Sequence, residues 1–429
     1  MQQSSGGVCW KDVAVKIIAE EKLLLVFALS LAVSFLIVWT KKYHSARSAR
    51  ASGASAVQSA HRIPTPRIGG VGIVAALLVA LLVLLPDGRG VQWSLFALSL
   101  APIFLAGIAE DLGYAVRPLR RLLAAAASSV ICVMVLGLWI LRADIPLVNL
   151  LFAFAPFGIV FTIFAASGVC HAFNLIDGVN GLAAGVGVIT AFGLAAIAAK
   201  AGEASVGAAA LFMVSALLGF LALNFPFGKL FLGDAGAYSI GHVLAWLAIA
   251  LLARAEAVTT WAIMLVLFWP VADTMLAIYR RRRSGKPAGQ PDRLHFHQLV
   301  MRTLEIAHFG RDRRHIANPL TTLVILPLAS APMITGVLLW NRPVAAFAAF
   351  VLFWVLFASS YLLGMRFAYK AARKLNQKGH GEHVNAVAKA HAIRLSRHDP
   401  DPGVVPTRVA TLETHGVNGY DENRLCNVD

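Results

Sequence analysis

The stretch LVNLLFAFAPFGIVFTIFAASGVCHAFNLIDGVNGLAAGVGVITAFGLAAIAA, Leu147 to Ala199, joins two apolar runs through a polar break that begins at His171. Each run approaches the roughly 20 residues a helix needs to cross a hydrocarbon layer, and is too long for a strand. A chain that enters an apolar phase on both sides of Asn174, Asp177 and Asn180 keeps those side chains at its edge. The pattern predicts an all-α, polytopic membrane protein.

Outward from this stretch the same kind of run recurs, and eleven spans are predicted, at 23–40, 69–86, 91–109, 122–141, 147–169, 181–199, 205–223, 236–253, 257–279, 319–340 and 343–365. With 58% hydrophobic and 14% charged residues, an ordinary water-soluble domain is excluded. The division expected is an N-terminal segment 1–22, a transmembrane domain 23–365 and a polar, mostly disordered tail 366–429. The first apolar run lacks a small-residue cleavage site after it and reads as a retained span.

The formal charge of +16 would suit a nucleic-acid partner, but its distribution argues otherwise. With the N-terminus outside, the inner connections and the tail carry 30 of the 38 Lys and Arg residues, the bias of a cytoplasmic face. A multi-pass membrane protein is expected, its C-terminus cytoplasmic and its partner membrane lipid, with no nucleic acid. The four cysteines, Cys9, Cys132, Cys170 and Cys426, fall in different compartments and imply no disulfide framework.

The polar residues collect in the inner connections. Asn174, Asp177 and Asn180 follow the spacing i, i+3, i+6, which on one helix would turn all three to one side. Their oxygens suit a hard cation such as Mg2+, and the same groups can read the edge of a uracil ring; Asn, Asp and Gly also make a good turn between spans. In NFPFGKLFLGDAGAYSIG, Asp234 stands between two glycines just before a span, where a metal ligand and a helix N-cap are both open readings.

AGIAEDLGYAVRPLRRL sets Glu110 and Asp111 ahead of Arg117, Arg120 and Arg121, a grouping able to hold a cation beside a phosphate. Further on, Asp292, Arg293, His295 and His297 precede an amphipathic stretch, Leu299 to Ile306, expected to lie along the membrane surface. Histidines at i, i+2 do not share a helix face, so a loop gripping a diphosphate fits better than a helical two-His metal site. Asp273, inside a span, is a functional candidate by depth, with a pairing to Arg280 as the structural alternative.

Taken in order, HRIPTPRIGGVGI, EDLGYAVRPLRR, HAFNLIDGVNGLAAG, FLGDAGAYSIG and PDRLHFHQ resemble the motifs of the polyprenyl-phosphate N-acetylhexosamine-1-phosphate transferases, over about residues 40 to 365. The wording DRLHFH and the eleven spans look more like the bacterial enzymes that initiate O-antigen and teichoic acid than the muramyl-pentapeptide transferase. The resemblance implies transfer of a sugar phosphate from a UDP-N-acetylhexosamine to undecaprenyl phosphate, releasing UMP, as the first step of a cell-envelope polysaccharide. It implies Mg2+, or Mn2+ in its stead, on Asn174 and Asp234, with Asn180 on the uracil and Asp177 supporting the nucleotide pocket.

By the same resemblance Asp111 binds or deprotonates the lipid phosphate, Arg117 and Arg120 hold it, and Glu110 completes the acidic pair. His295, His297 and Arg293 close over the diphosphate or sugar, and Lys229 is a further basic candidate. Two positions depart from the family pattern: Glu110 stands for an aspartate and Gln298 for a histidine. A secondary transporter and a catalytically silent binder of lipid phosphate are the rival readings, and a homodimer through the spans is compatible with the sequence.

Overall fold

The computed structural model describes residues 20–43, 65–85, 90–283, 285, 294–310, 313–367 and 370. Among them there is no β-strand, and fifteen helical elements account for the chain. In order these are α1 (Glu20–Trp39), α2 (Gly70–Leu84), α3 (Gly90–Ser99), α4 (Ala101–Asp111), α5 (Pro118–Leu136), α6 (Pro146–Phe152), α7 (Ala155–Ile176) and α8 (Leu182–Ala201). There follow α9 (Ala204–Asn224), α10 (Gly233–Arg254), α11 (Thr260–Val266), α12 (Phe268–Arg283), α13 (Phe296–Leu304), α14 (Arg314–Leu338) and α15 (Pro343–Phe367). The N-terminal segment and nearly all of the expected tail lie outside the described residues.

Helix α10 is the axis of the bundle. Every residue from Gly233 to Leu252 is buried, and α7, α4, α8 and α2 pack around it. Small residues make that approach feasible, as they do between helices in lipid. A Cβ at Gly70 would run into the backbone of Gly236, and one at Gly107 into that of Ala235. By contrast α1, α5 and α15 turn much apolar surface outward, as lipid-facing helices do; Leu119, Leu123, Leu352 and Leu363 are all exposed.

Nine helices among the described residues are long and apolar enough to cross a membrane, counting α3 and α4 as one run. Three expected spans take different forms. Helix α2 is short; its last turn widens into a π-turn, Ala80–Leu84, and Leu85 is extended because Pro86 follows and disfavours helical geometry before it. The span at 257–279 is broken, with α11 and α12 meeting at 82°. Pro270 has no N–H for the carbonyl of Val266, and the Thr190 hydroxyl reaches that carbonyl at 3.4 Å instead.

The span expected at 147–169 is displaced. Its apolar run is split at Ala153–Phe154, and α7 starts afresh with Pro156 in its first turn. His171 to Ile176 are therefore the last turns of a span rather than part of a connection, which fixes where their side chains point. The amphipathic stretch after His297 is α13 with a π-turn, Glu305–Phe309, and it packs against α14.

Candidate active site

Gly233 opens α10 with φ +75, and a side chain there would collide with the Arg67 carbonyl and the Asp111 carboxylate. The preceding residues are paired with the segment before α2: Phe231 N–H donates to Pro66 O at 2.8 Å, and Gly69 and Gly70 N–H donate to Phe231 O and Leu232 O at 2.9 Å. Asp111, at the end of α4, accepts from the backbone N–H of Asp234 at 2.8 Å and of Ala235 at 2.9 Å. A carboxylate from one helix thus caps the N-terminus of another, where the helix dipole favours negative charge. Both oxygens of Asp111 are engaged by α10.

With those amides taken, Asp234 is not the N-cap of its helix, since Leu232 occupies that position. Its side chain reaches outward instead. Oδ2 accepts from Arg121 Nη1 at 2.7 Å, and Oδ1 accepts from Asn174 Nδ2 at 3.1 Å. Asp234 is therefore shared by α5 and α7, and a charge-assisted hydrogen bond of this length is among the stronger kinds. Arg121 is the arginine that enters the site, whereas Arg117 and Arg120 are exposed. Helix α5 begins at Pro118, and of the three arginines Arg121, one turn in, is the one that meets α10.

The spacing of Asn174, Asp177 and Asn180 does not gather them on one helix face, because α7 ends at Ile176. Asn174 turns to Asp234. Asp177 follows as the C-cap, where burial pushes its carboxyl up to about 7; Asp234 adds to that rise and Arg67 opposes it. Asn180 is buried at the heart of the turn: its N–H donates to Asn318 Oδ1 at 2.8 Å, its carbonyl accepts from Thr322 Oγ1 at 2.6 Å, and its Nδ2 donates to Pro226 O at 3.0 Å. Asn224 ties the next residue, accepting from Gly181 N–H at 2.6 Å.

The histidine pair is built by Asp273 on α12. Oδ2 bonds His295 Nδ1 at 3.0 Å and Oδ1 accepts from Phe296 N–H at 3.0 Å, so this carboxylate caps α13 as Asp111 caps α10. Its partner is His295 and not Arg280, the structural alternative, whose guanidinium lies 5.0 Å from the Tyr361 ring. His297 stacks on His295 at 5.8 Å and lies against Gly178, next to Asp177. Both of its ring nitrogens are buried without a hydrogen-bond partner among the described residues, and burial pulls its pKa down to about 4.

The two departures from the family pattern have local roles. Glu110 Oε2 accepts from Val116 N–H at 2.6 Å and closes the loop between α4 and α5, a reach its extra methylene favours. Gln298 Oε1 accepts from His295 N–H at 3.3 Å, completing a capping box at the start of α13. Lys229 is exposed, 5.8 Å from the centre of the Phe227 ring. Arg293 and Asp292 lie outside the described residues. Arg67, not singled out from the sequence, stands within electrostatic reach of Asp111 and Asp177; its place in PTPRIGG, before the glycines that pair with the α10 entry, was the available signal.

The arrangement is a carboxylate, Asp234, with an amide on one side and a guanidinium on the other. Among the described residues no three His, Cys, Asp or Glu side chains form a self-sufficient metal cage. The oxygens of Asp234 and Asn174 nevertheless suit Mg2+, which usually takes one or two protein ligands and completes its shell with water and substrate phosphates. Turning the Asn174 amide over would present its oxygen in place of the nitrogen that now meets Asp234.

Residues 93–252 match the model of the family described as Glycosyl transferase family 4. The chain is 36% identical over 137 residues to a probable undecaprenyl-phosphate N-acetylglucosaminyl 1-phosphate transferase of Bacillus subtilis, which covers 31% of this chain and 38% of that protein. It is 31% identical over 229 residues to an undecaprenyl-phosphate alpha-N-acetylglucosaminyl 1-phosphate transferase of Escherichia coli O157:H7, covering 51% and 58%, and 30% identical over 152 residues to one of Yersinia pestis, covering 34% and 42%. The chain thus spans between 38% and 58% of the length of these relatives. Residues 93–252, which carry Asp111, Arg121, Asn174, Asp177 and Asp234, are thus similar to glycosyl transferase family 4.

Proposed function

We propose that the protein transfers an N-acetylhexosamine 1-phosphate from a UDP-sugar to undecaprenyl phosphate in a bacterial inner membrane, its N-terminus outside and its C-terminus and active site cytoplasmic. The observation that carries this reading is the sharing of Asp234 by Arg121 and Asn174 where three spans end together, inside the family 4 segment. A lipid phosphate oxygen forms a bond to the β-phosphorus of the donor while the anhydride bond to the α-phosphate breaks, leaving a lipid-linked diphosphosugar and UMP. Such a transfer needs positioning and charge neutralisation more than a strong base, which agrees with a site of carboxylates, amides and guanidinium without a nucleophilic Ser or Cys.

Asp234 and Asn174 would hold Mg2+, or Mn2+ in its stead, which when bound neutralises charge on the diphosphate and on the departing UMP. Arg121 keeps Asp234 oriented and adds a fixed positive charge beside it. Asp177 and the turn anchored by Asn180 form the side offered to the nucleotide, and His297, held by the Asp273 and His295 pair, stands next to Asp177 with two uncommitted ring nitrogens.

The test is UMP release from UDP-N-acetylglucosamine by the purified chain with undecaprenyl phosphate, with and without Mg2+, beside Asp234→Ala. Release by the wild type should require the metal and fall by about a hundredfold or more in the variant. Full activity in Asp234→Ala would remove the metal assignment. No release from any UDP-N-acetylhexosamine by the wild type would sink the transferase reading.

A further inference from the structure

About one helical turn from Asp234 and Asn174, away from the span ends, three polar side chains from three helices meet. His171 precedes Asn174 by three residues on α7, Tyr238 follows Asp234 by four on α10, and Arg121 enters from α5. The rings of His171 and Tyr238 are 5.0 Å apart at 72°, and His171 is within electrostatic reach of both Arg121 and Asp234. A turn of helix rises about 5.4 Å, so this group sits below the level of Asp234 on the bilayer side.

Two nitrogens in this group are buried without a hydrogen-bond partner among the described residues: Arg121 Nε, whose Nη1 holds Asp234, and His171 Nε2. Buried polar groups are paired in the great majority of cases, and an orphan calls for an acceptor from elsewhere. Two of them beside a guanidinium call for an anionic oxygen. Leu122 and Leu123, the next residues on α5, are exposed apolar side chains, surface of the same helix that an acyl or isoprenoid chain can cover.

We propose that Arg121, His171 and Tyr238 form the pocket for the phosphate of the lipid acceptor, a phosphate monoester on an isoprenoid tail that arrives from the bilayer. This rests on the transferase reading and moves the acceptor phosphate away from Arg117 and Arg120, which are exposed. It also assigns a role to His171, which opens the motif HAFNLIDGVNGLAAG and was given none from the sequence. The nucleotide sugar carries phosphates as well, but reaches the site from the water side, at the level of Asp234 and Asn174.

The experiment is equilibrium binding to the purified full-length chain in detergent micelles, with labelled undecaprenyl phosphate in the absence of nucleotide and, separately, labelled UDP-N-acetylglucosamine with Mg2+. His171→Ala should weaken undecaprenyl phosphate binding about tenfold, the loss of one charge-assisted hydrogen bond, and leave the UDP-sugar affinity within about twofold. Undecaprenol, which lacks the phosphate, should bind both proteins equally. His171→Gln retains an N–H donor and should recover part of the loss, which also covers a failure of the alanine variant to fold. Unchanged lipid-phosphate affinity, a loss that falls on the UDP-sugar, or no lipid-phosphate binding by the wild type would each overturn the pocket. Absence of UMP release by a wild type that shows the expected binding differences would count against the transferase reading alone.

Discussion

Asp111 and Asp234 are neighbours in space, yet one faces a helix and the other faces the site. Because both oxygens of Asp111 accept α10 amides, Asp111→Asn replaces one acceptor with an N–H2 that points at N–H donors, and should cost about 1–3 kcal/mol of stability, read as a lower unfolding temperature in detergent. Asp177 and His297 give a second prediction, in pH. The folded state holds the Asp177 proton up to about 7 from an ordinary 3.8, so its contribution to stability is full below pH 3.8 and is lost as pH rises through 7. The folded state disfavours protonated His297, whose pKa falls from 6.5 to about 4, so that contribution is full above pH 6.5 and is lost as pH falls to 4. Between pH 4 and 6.5 the two slopes oppose each other. Asp177→Asn should therefore make the unfolding temperature climb more steeply with pH in that window than in wild type, and His297→Gln should make it climb less or fall; parallel pH profiles for all three proteins would refute both assignments. At this scale the sequence drew attention to the acids that make inter-helix contacts, because a carboxylate near glycine in an otherwise apolar chain stands out. It did not show which of Arg117, Arg120 and Arg121 turns inward, since that depends on the helix starting at Pro118.

Helices were legible where an unbroken apolar run made them so, and less legible where proline or packing intervened. The run from Leu147 reads as one span by hydropathy, but its break before Pro156 moves the true span toward Ile176 and places His171 and Asn174 on its final turns. The bend between α11 and α12 follows from Pro270, which the sequence displays, whereas the Thr190 hydroxyl that meets the freed carbonyl comes from a distant helix and leaves no local signal. Asp273 has the same character: its depth marked it, but its hold on His295 and Phe296 is long-range. If that carboxylate fixes the start of α13, Asp273→Ala should accelerate amide hydrogen exchange at Phe296–Leu299 by roughly 10- to 100-fold, the loss of about 1.4–2.8 kcal/mol of local stability, while exchange in α8 and α9 stays as in wild type. Exchange rising equally in every helix would mean that Asp273 supports the bundle at large and not this element.

Across the whole molecule, the uneven distribution of Lys and Arg and the repeated polar breaks led the sequence reading to expect most candidates, Asp273 apart, at one face of a helical bundle. What it could not show is how the buried axis is anchored. Helix α10 receives a carboxylate at its N-terminal amides, from Asp111, and at its C-cap a guanidinium from Arg142, whose Nη2 reaches Ala255 O at 3.4 Å and the loop carbonyls just beyond. Arg142 Nη2 donates to Glu256 O and Val258 O at 2.7 Å, Arg142 pairs with Asp144 at 3.2 Å, and Asp144 accepts from Thr259 Oγ1 at 2.8 Å and Thr260 N–H at 2.6 Å. Each end thus carries the sign of charge that a helix dipole favours, and each partner belongs to a different helix or loop. The two anchors lie at opposite faces, so their removal should have different consequences. Arg142→Gln strips the C-terminal anchor from carbonyls that then need water or remain unpaired, and should lower the unfolding temperature by the equivalent of about 1–3 kcal/mol. The site is held independently by Asp111, Arg121 and Asn174, so UMP release per folded molecule, measured well below the unfolding temperature, should stay within about twofold of wild type, the scale of a remote change. Asp111→Asn at the other end should reduce both quantities. A rate that falls with Arg142→Gln as steeply as with Asp111→Asn would mean that α10 carries strain from one face of the bundle to the other, and that its C-terminal end takes part in setting the geometry around Asp234.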